Sequence, residues 1–279
     1  MSLTPKKAGV IGWPIAHSLS PLMHNFWLKE YGINGSFEPL PIRPEEFSLK
    51  TLNTLARDGF TGINVTVPFK EPAYEFANER DDAAYTAGAA NLLIFAGDHI
   101  TARNTDIFGL EESLKEVPLK NKSVAILGAG GAARAAIIAL SNAGVDKIHI
   151  VGRDRQRVEA LAQAFRPKTK STLVPALFGD WQEIAGGVAL LLNATSGGMK
   201  GAGPLCISID RLPKSALVYD IVYNPLETDL LKDAKAQGHK TVDGLGMLMH
   251  QAVPSFEAFF GVRPKVTAGL RAMMEQALT

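Results

Sequence analysis

The chain has 279 residues, enough for two ordinary domains with separate cores. Apolar residues make up 46% of it and charged residues 20%, a globular balance, and 29 basic against 28 acidic side chains leave a formal charge of +1. That neutrality gives no reason to expect nucleic acid or a membrane surface as partner; one cysteine, Cys206, excludes an intramolecular disulfide and a cysteine-built zinc site, and six scattered histidines suggest no metal.

The start, MSLTPKKAGVIG, lacks the apolar stretch of a signal peptide, and no apolar run nears the roughly 18 residues that span a bilayer. A cytoplasmic protein is expected. AGVIG (8–12) reads as a strand, followed by the loop WPIAHSLS and a helix from Pro21 with Ser20 as its N-cap. GFTGINVTV (59–67) is a second strand, stopped by Pro68, and NLLIF (91–95) a third, with a return strand through His99–Ala102. Short apolar runs alternating with helical patterns predict an α/β fold with a mostly parallel sheet.

A second unit opens near residue 122, where KSVAILGAGGAARAAIIALSNAG reads as strand, glycine turn and long helix, and KIHIVGRD as the next strand. Further strands are expected at VALLL (188–192) and in ALVYD, and TDLLKDAKAQG supplies a helix. From about Gly244 two helices close the chain, and Pro254 should kink or interrupt the first. With no linker tract, the boundary between units is expected at a short hinge around 104–110.

Gly128, Gly130 and Ala133 form a G-x-G-x-x-A pattern where a strand ends and a helix starts. The first glycine permits the tight turn, the second lets a pyrophosphate approach the backbone, and Ala133 lets helix pack on strand. The helix N-terminus offers N–H groups and partial positive charge to phosphates. The next strand ends Gly152-Arg153-Asp154-Arg155. Arginine grips a 2′-phosphate through its planar fork, which favours NADP over NAD. Asp154 would repel that phosphate unless it serves as N-cap of a helix over 155–165, the reading adopted for it.

Three polar clusters lie outside that unit. Ser18 and Ser20 can donate to a small oxygen-rich ligand. Asn64 and Thr66 share one face of their strand, with Lys70 just beyond it. Arg103-Asn104-Thr105-Asp106 falls at the hinge, where a substrate and a nicotinamide would meet.

Over nearly its whole length the chain resembles the shikimate dehydrogenase family, through GWPIAHSLSPLMHN (12–25), INVTVPFK (63–70), NTD (104–106), GAGGAAR (128–134), NATSGGM (193–199), YDIVYNPLETDLL (219–231) and DGLGMLMHQA (243–252). The resemblance implies a substrate domain of residues 1–106 and 244–279, completed by the C-terminal helices, with a Rossmann domain over 107–243. It implies reversible NADP-dependent reduction of 3-dehydroshikimate to shikimate, with Lys70 and Asp106 as the catalytic pair. Substrate positions fall on Ser18, Ser20, Asn64, Thr66, Lys70, Asn91, Asp106, Tyr223 and Gln251. Cofactor positions fall on Gly128, Gly130, Ala132, Arg153, Asn193, Thr195, Gly244 and Met247, to which the neighbouring Ala129, Gly131, Asp154, Arg155, Ser196 and Ile221 are added. The expected partner is a small molecule of shikimate or quinate type, and the expected assembly a monomer or homodimer.

The chain departs from the family pattern at Leu92, where threonine is usual, at Ile107 after Asp106, at Asp229 after Thr228, and at Pro254. Two alternatives stay open: an NAD-dependent or dual-cofactor quinate/shikimate enzyme, and a ligand sensor on the same fold. Lys70 and Asp106 together speak against a sensor, which needs no acid–base pair.

Overall fold

The computed structural model describes residues 5–279; Met1–Thr4, where the stretch read for a leader begins, lie outside the described residues. Two compact units form: one from residues 1–109 with Met249–Ala277 and Thr279, the other from Leu110–Leu248 with Leu278. Among the described residues no helix is long and apolar enough to cross a membrane.

The first unit begins β1 (Lys6–Gly12), α1 (Ser20–Glu30), β2 (Gly35–Pro41), α2 (Leu49–Arg57), β3 (Phe60–Val65) and α3 (Lys70–Phe76). It continues β4 (Glu79–Arg80), α4 (Asp82–Ala87), β5 (Leu92–Ala96), β6 (His99–Arg103) and the start of α5 (Asp106–Leu114). Its sheet has the order β2-β1-β3-β5-β6-β4. β1 runs parallel to β2 and β3, while β5 and β6 form an antiparallel hairpin against β3, with Asn64 opposite Leu92 and Leu92 opposite Arg103. β2, which carries Pro39 and Pro41, has no strand signal in the sequence. It sits at the sheet edge, where a missing N–H costs no ladder bond. Ile11, Ile63, Val65, Leu93 and Ile100 pack with Leu52, Phe69 and Ala73 into one core.

Two local expectations are corrected. Ser20 does not cap α1: Leu19 is already helical at φ −83°, Ser20 is the first helical residue, and Ser18 Oγ accepts the Ser20 N–H at 3.3 Å. Thr66 is not on β3 beside Asn64. The strand ends at Val65, and Thr66 opens a tight turn closed by Phe69 N–H donating to its carbonyl at 2.9 Å.

The second unit carries the remainder of α5, then β7 (Ser123–Leu127), α6 (Gly131–Asn142), β8 (Lys147–Gly152), α7 (Arg155–Phe165) and β9 (Thr172–Leu177). After α8 (Trp181–Ile184) come β10 (Leu190–Asn193), β11 (Leu217–Asp220), α9 (Asp229–Ala236) and β12 (Lys240–Val242). All six strands run parallel in the order β12-β11-β10-β7-β8-β9, the doubly wound arrangement. β9, an edge strand holding Pro175, and the three-residue β12 also lack a sequence signal. The strands are buried on both faces, with Leu127, Val151, Leu191 and Val218 packed against Trp181, Leu230 and Leu231.

The chain ends in α10 (Gly244–Phe260) and α11 (Ala268–Gln276). α10 runs unbroken through Pro254, contrary to the expected interruption. The proline costs about 3 kcal/mol in an isolated helix, but Ala252, Val253, Phe256, Phe259 and Phe260 are all buried, and that packing outweighs it. Asp229 opens α9 next to its N-cap Thr228, where an acid complements the helix dipole.

Candidate active site

Strand direction assembles the polar cluster of the first unit. β1 and β3 end at the same edge of the sheet, and β5 starts there because it runs against β3. β6 then returns to that edge, so the segments after Gly12, Val65 and Arg103 converge with Asn91, just before β5. A Cβ on Gly12 would lie 2.5 Å from Thr66 Cγ2, which shows how closely the loop before Ser18 lies on the Thr66 turn.

Lys70, the first residue of α3, donates from Nζ to Asp106 Oδ2 at 2.5 Å, and Asp106 is the first residue of α5. Their side chains are 19% and 6% exposed, so the pair is withdrawn from solvent yet reachable at the lysine. The α3 start is tied to the β5 approach by Ala90 N–H donating to the Lys70 carbonyl at 2.8 Å. Asn91 is the hub. Its Nδ2 lies 2.9 Å from Asp106 Oδ1, 2.9 Å from Thr105 Oγ1 and 3.3 Å from Gln251 Oε1 on α10. Its Oδ1 accepts the Thr105 N–H at 2.7 Å. Both carboxylate oxygens of Asp106 are therefore engaged, one by a cation and one by an amide.

Asn64 and Gln251 join from opposite sides. Asn64 Nδ2 donates to the Asn91 carbonyl at 3.1 Å and to Ser255 Oγ at 2.8 Å, which fixes the orientation of its amide because a carbonyl only accepts. Asn104 holds the turn, accepting Asp106 N–H on Oδ1 and donating to the Ala89 carbonyl. Thr105 and Ser255 were not among the expected site residues. Thr105 lay inside the NTD cluster, and Ser255 stands four positions from Gln251 on the same helix face. The structure thus brings Asn64, Lys70, Asn91, Asp106 and Gln251 into one connected cluster, with Ser18, Ser20 and Thr66 at the same sheet edge. Leu92 and Ile107, two of the departures, are buried apolar residues beside it. Tyr223, expected at the substrate, belongs to the second unit.

In the second unit Gly128 has φ +108°, the left-handed turn geometry that glycine adopts at no steric cost. A Cβ on Gly130 would meet nothing within 4 Å, so the turn leaves open space where a ligand could approach the backbone. Gly130 is the N-cap of α6 with no side-chain cap, leaving the first N–H groups, at Gly131 and Ala132, toward that space. Ala133 is fully buried, as close helix–strand packing needs. Asp154 caps α7, its Oδ1 accepting the Arg157 N–H at 3.2 Å, as expected. Arg155 pairs with Glu159 at 3.5 Å, while Arg153 is exposed and has no acidic partner among the described residues.

The side chain of Asn193, expected at the cofactor, is fully buried and hydrogen-bonded within the protein. Nδ2 donates to Asp220 Oδ1 at 2.9 Å and to the Gly197 carbonyl at 3.2 Å, and Oδ1 accepts Thr195 N–H and Oγ1 at 3.0 and 2.7 Å. Ser196 is exposed next to it, and Ala129 lies in the glycine turn. Gly244 is a close approach: a Cβ there would sit 2.0 Å from the Ile221 carbonyl oxygen. Met247 is buried in α10. Among the described residues no group of three histidine, cysteine, aspartate or glutamate side chains is arranged to hold a metal ion.

Two family models match the chain: one described as the shikimate dehydrogenase substrate binding domain, over residues 10–93, and one described as shikimate / quinate 5-dehydrogenase, over residues 111–196. The chain is 44% identical to the NADP(+) shikimate dehydrogenase of Rhodopseudomonas palustris (strain TIE-1), over 100% of this chain and 99% of that one. The shikimate 5-dehydrogenase of Thermus thermophilus, solved in complex with NADP(H) and shikimate, is 34% identical at TM-score 0.83, covering 98% of each chain. The quinate dehydrogenase of Corynebacterium glutamicum, in complex with NAD, is 30% identical at TM-score 0.86 with the same coverage.

Proposed function

The chain belongs to the shikimate dehydrogenase family, and we propose on that premise that it catalyses the reversible NADP-dependent reduction of 3-dehydroshikimate to shikimate. The observation that carries the reading is the part-buried Lys70–Asp106 pair at the sheet edge, in a chain alike over its full length to a dehydrogenase of that name. When bound, NADP supplies or accepts the hydride. Its pyrophosphate would rest on Gly128–Ala132 and the α6 N-terminus, and its 2′-phosphate on Arg153, whose guanidinium is free to grip it.

Lys70 holds the proton that the ketone oxygen receives during reduction, and takes it back from the alcohol in the reverse direction. Asp106 Oδ2 keeps the ammonium in place, and Asn91 fixes the carboxylate through Oδ1, so the donor does not reorganise as the reaction proceeds. Ser18, Ser20, Asn64, Thr66 and Gln251 are neutral donors and acceptors suited to ring hydroxyls and a carboxylate. Such a site discriminates strongly against analogues lacking a hydroxyl, because its buried polar groups would be left unpaired. Domain bounds of 1–106 with 244–279, and 107–243, go with this reading.

Absorbance at the nicotinamide band tests it, with shikimate or quinate as alcohol and NADP or NAD as acceptor. Turnover is expected chiefly with shikimate and NADP. A preference for quinate with NAD, as the name of the Corynebacterium glutamicum enzyme would suggest, overturns the assignment of substrate and cofactor. No turnover with any pair overturns the activity itself.

A further inference from the structure

We propose that Asp220 is a positioning residue for the cofactor: it holds the Thr195 loop against the Gly128 turn and thereby sets the affinity of the second unit for NADP. The inference rests on the reading that this unit binds NADP. Asp220 is the last residue of β11, paired with Asn193, the last residue of β10. It is completely buried, and burial raises its carboxyl above the usual range while Thr228, Val222 and Asn193 pull it back. A carboxylate in such a place is expensive unless every oxygen is satisfied.

Its oxygens are satisfied by the last residue of β10 and by the loop that follows β11. Oδ1 accepts from Asn193 Nδ2 at 2.9 Å and from the Val222 N–H at 3.0 Å; Oδ2 accepts from Thr228 Oγ1 at 2.7 Å. From Asn193 the chain of bonds passes to Thr195, whose N–H and hydroxyl both donate to Asn193 Oδ1, and whose Oγ1 accepts the Gly197 N–H at 3.0 Å. Thr195 in turn abuts the dinucleotide turn. A Cβ on Gly128 would lie 2.9 Å from Thr195 Cγ2 and 3.2 Å from the Ala194 carbonyl oxygen. On the other side, Val222 follows Ile221, whose carbonyl presses on Gly244. One carboxylate thus fixes the loop behind the glycine turn and the loop under Gly244. The apolar core of this unit, with Leu191, Val218 and Leu230 among its members, contains neither Asp220 nor Asn193.

Titration of the full-length protein with NADPH, followed by nucleotide fluorescence, tests this without reference to turnover. Asp220→Asn keeps Oδ1 as acceptor and can offer its amide to Thr228 Oγ1, so its Kd should stay within about threefold of wild type. Asp220→Ala removes both acceptors and should weaken NADPH binding roughly 10–100-fold, as loss of bonds to a charged group does. Asn193→Ala breaks the same chain one step later, leaves Asp220 two donors, and should weaken binding about tenfold. In all three the KM for shikimate at saturating NADP should hold within about twofold, which a general loss of structure would not allow. Asp220→Ala or Asn193→Ala, folded by circular dichroism and binding NADPH like a binding-competent wild type, overturns the proposal alone. A wild type that does not bind NADPH overturns the cofactor reading together with it.

Discussion

Lowering the pH should destabilise the first unit through one side chain, His24. Its ring is fully buried on α1, stacked on Phe37 at 3.9 Å and 6°, and flanked by Trp27, Phe256 and Phe259. Neither ring nitrogen has a hydrogen-bond partner among the described residues, and burial lowers the pKa from 6.5 to about 3. Below pH 6.5 the unfolded chain takes up a proton that the folded one refuses until about pH 3, so stability is greatest above 6.5 and falls as the pH drops. At pH 5 the difference of about 1.5 pH units from the unfolded pKa corresponds to about 2 kcal/mol. His24→Phe keeps an aromatic ring in the box and removes the titration. Urea unfolding should be followed by Trp27 fluorescence in a Trp181→Phe background, which silences the buried tryptophan of the second unit. Between pH 8 and pH 5 wild type should lose about 2 kcal/mol more than His24→Phe, the carboxylates shared by both cancelling in the difference. Parallel pH profiles for the two proteins would refute the assignment of the loss to this imidazole.

Lys70→Ala should cut kcat by about 10²–10⁴-fold, with NADPH affinity unchanged in the fluorescence titration; near wild-type turnover would remove Lys70 from the chemistry. Arg153→Ala should raise the KM for NADP roughly 10–100-fold, the worth of a charge-assisted pair. Its KM for NAD should move by less than about threefold, and equal losses with both nucleotides would place the arginine elsewhere. Gly128→Ala forces φ +108° on a residue with a Cβ and drives that atom toward Thr195 and Ala194. A cost of about 1–3 kcal/mol should appear as a lower Tm together with weakened NADPH binding, and an unchanged Tm would show that the turn relaxes freely.

The legible parts of the molecule were those written in apolar runs. β1, β3, β7, β8, β10 and β11 each centre on a short run rich in valine, isoleucine, leucine or alanine, as a largely buried strand requires. β2 and β9 escaped because prolines at 39, 41 and 175 read as breakers; only their places at sheet edges make them admissible, and edge position is a tertiary property. The expected Ser20 cap fails for a related reason. Whether Ser18 or Ser20 supports α1 depends on where Leu19 enters helical geometry, which no composition rule specifies. Asp154 as the α7 cap was readable, since an acid before a long helical pattern has one local use. Asn91 was placed at the substrate only by family resemblance. Spacing could not show that β5 turns back against β3 and so delivers its first residues to the edge where other strands end. The commitment of Asn193 to Asp220 was likewise invisible, because it is a register relation between neighbouring strands.

The first unit is discontinuous in the chain, while the second is essentially one uninterrupted stretch. During synthesis, residues 110–248 leave the ribosome with every strand of their sheet already present, so that unit can close before the other is complete. Asn64 and Asn91 emerge long before it, yet their partners Ser255 and Gln251 come only with α10, about 160 to 190 residues later. The intervening fold draws the two ends of that span together and relieves the entropy of closing so long a loop. The polar cluster is therefore complete only once α10 has emerged, and a chain released before it would carry Lys70, Asn91 and Asp106 without Gln251 and Ser255.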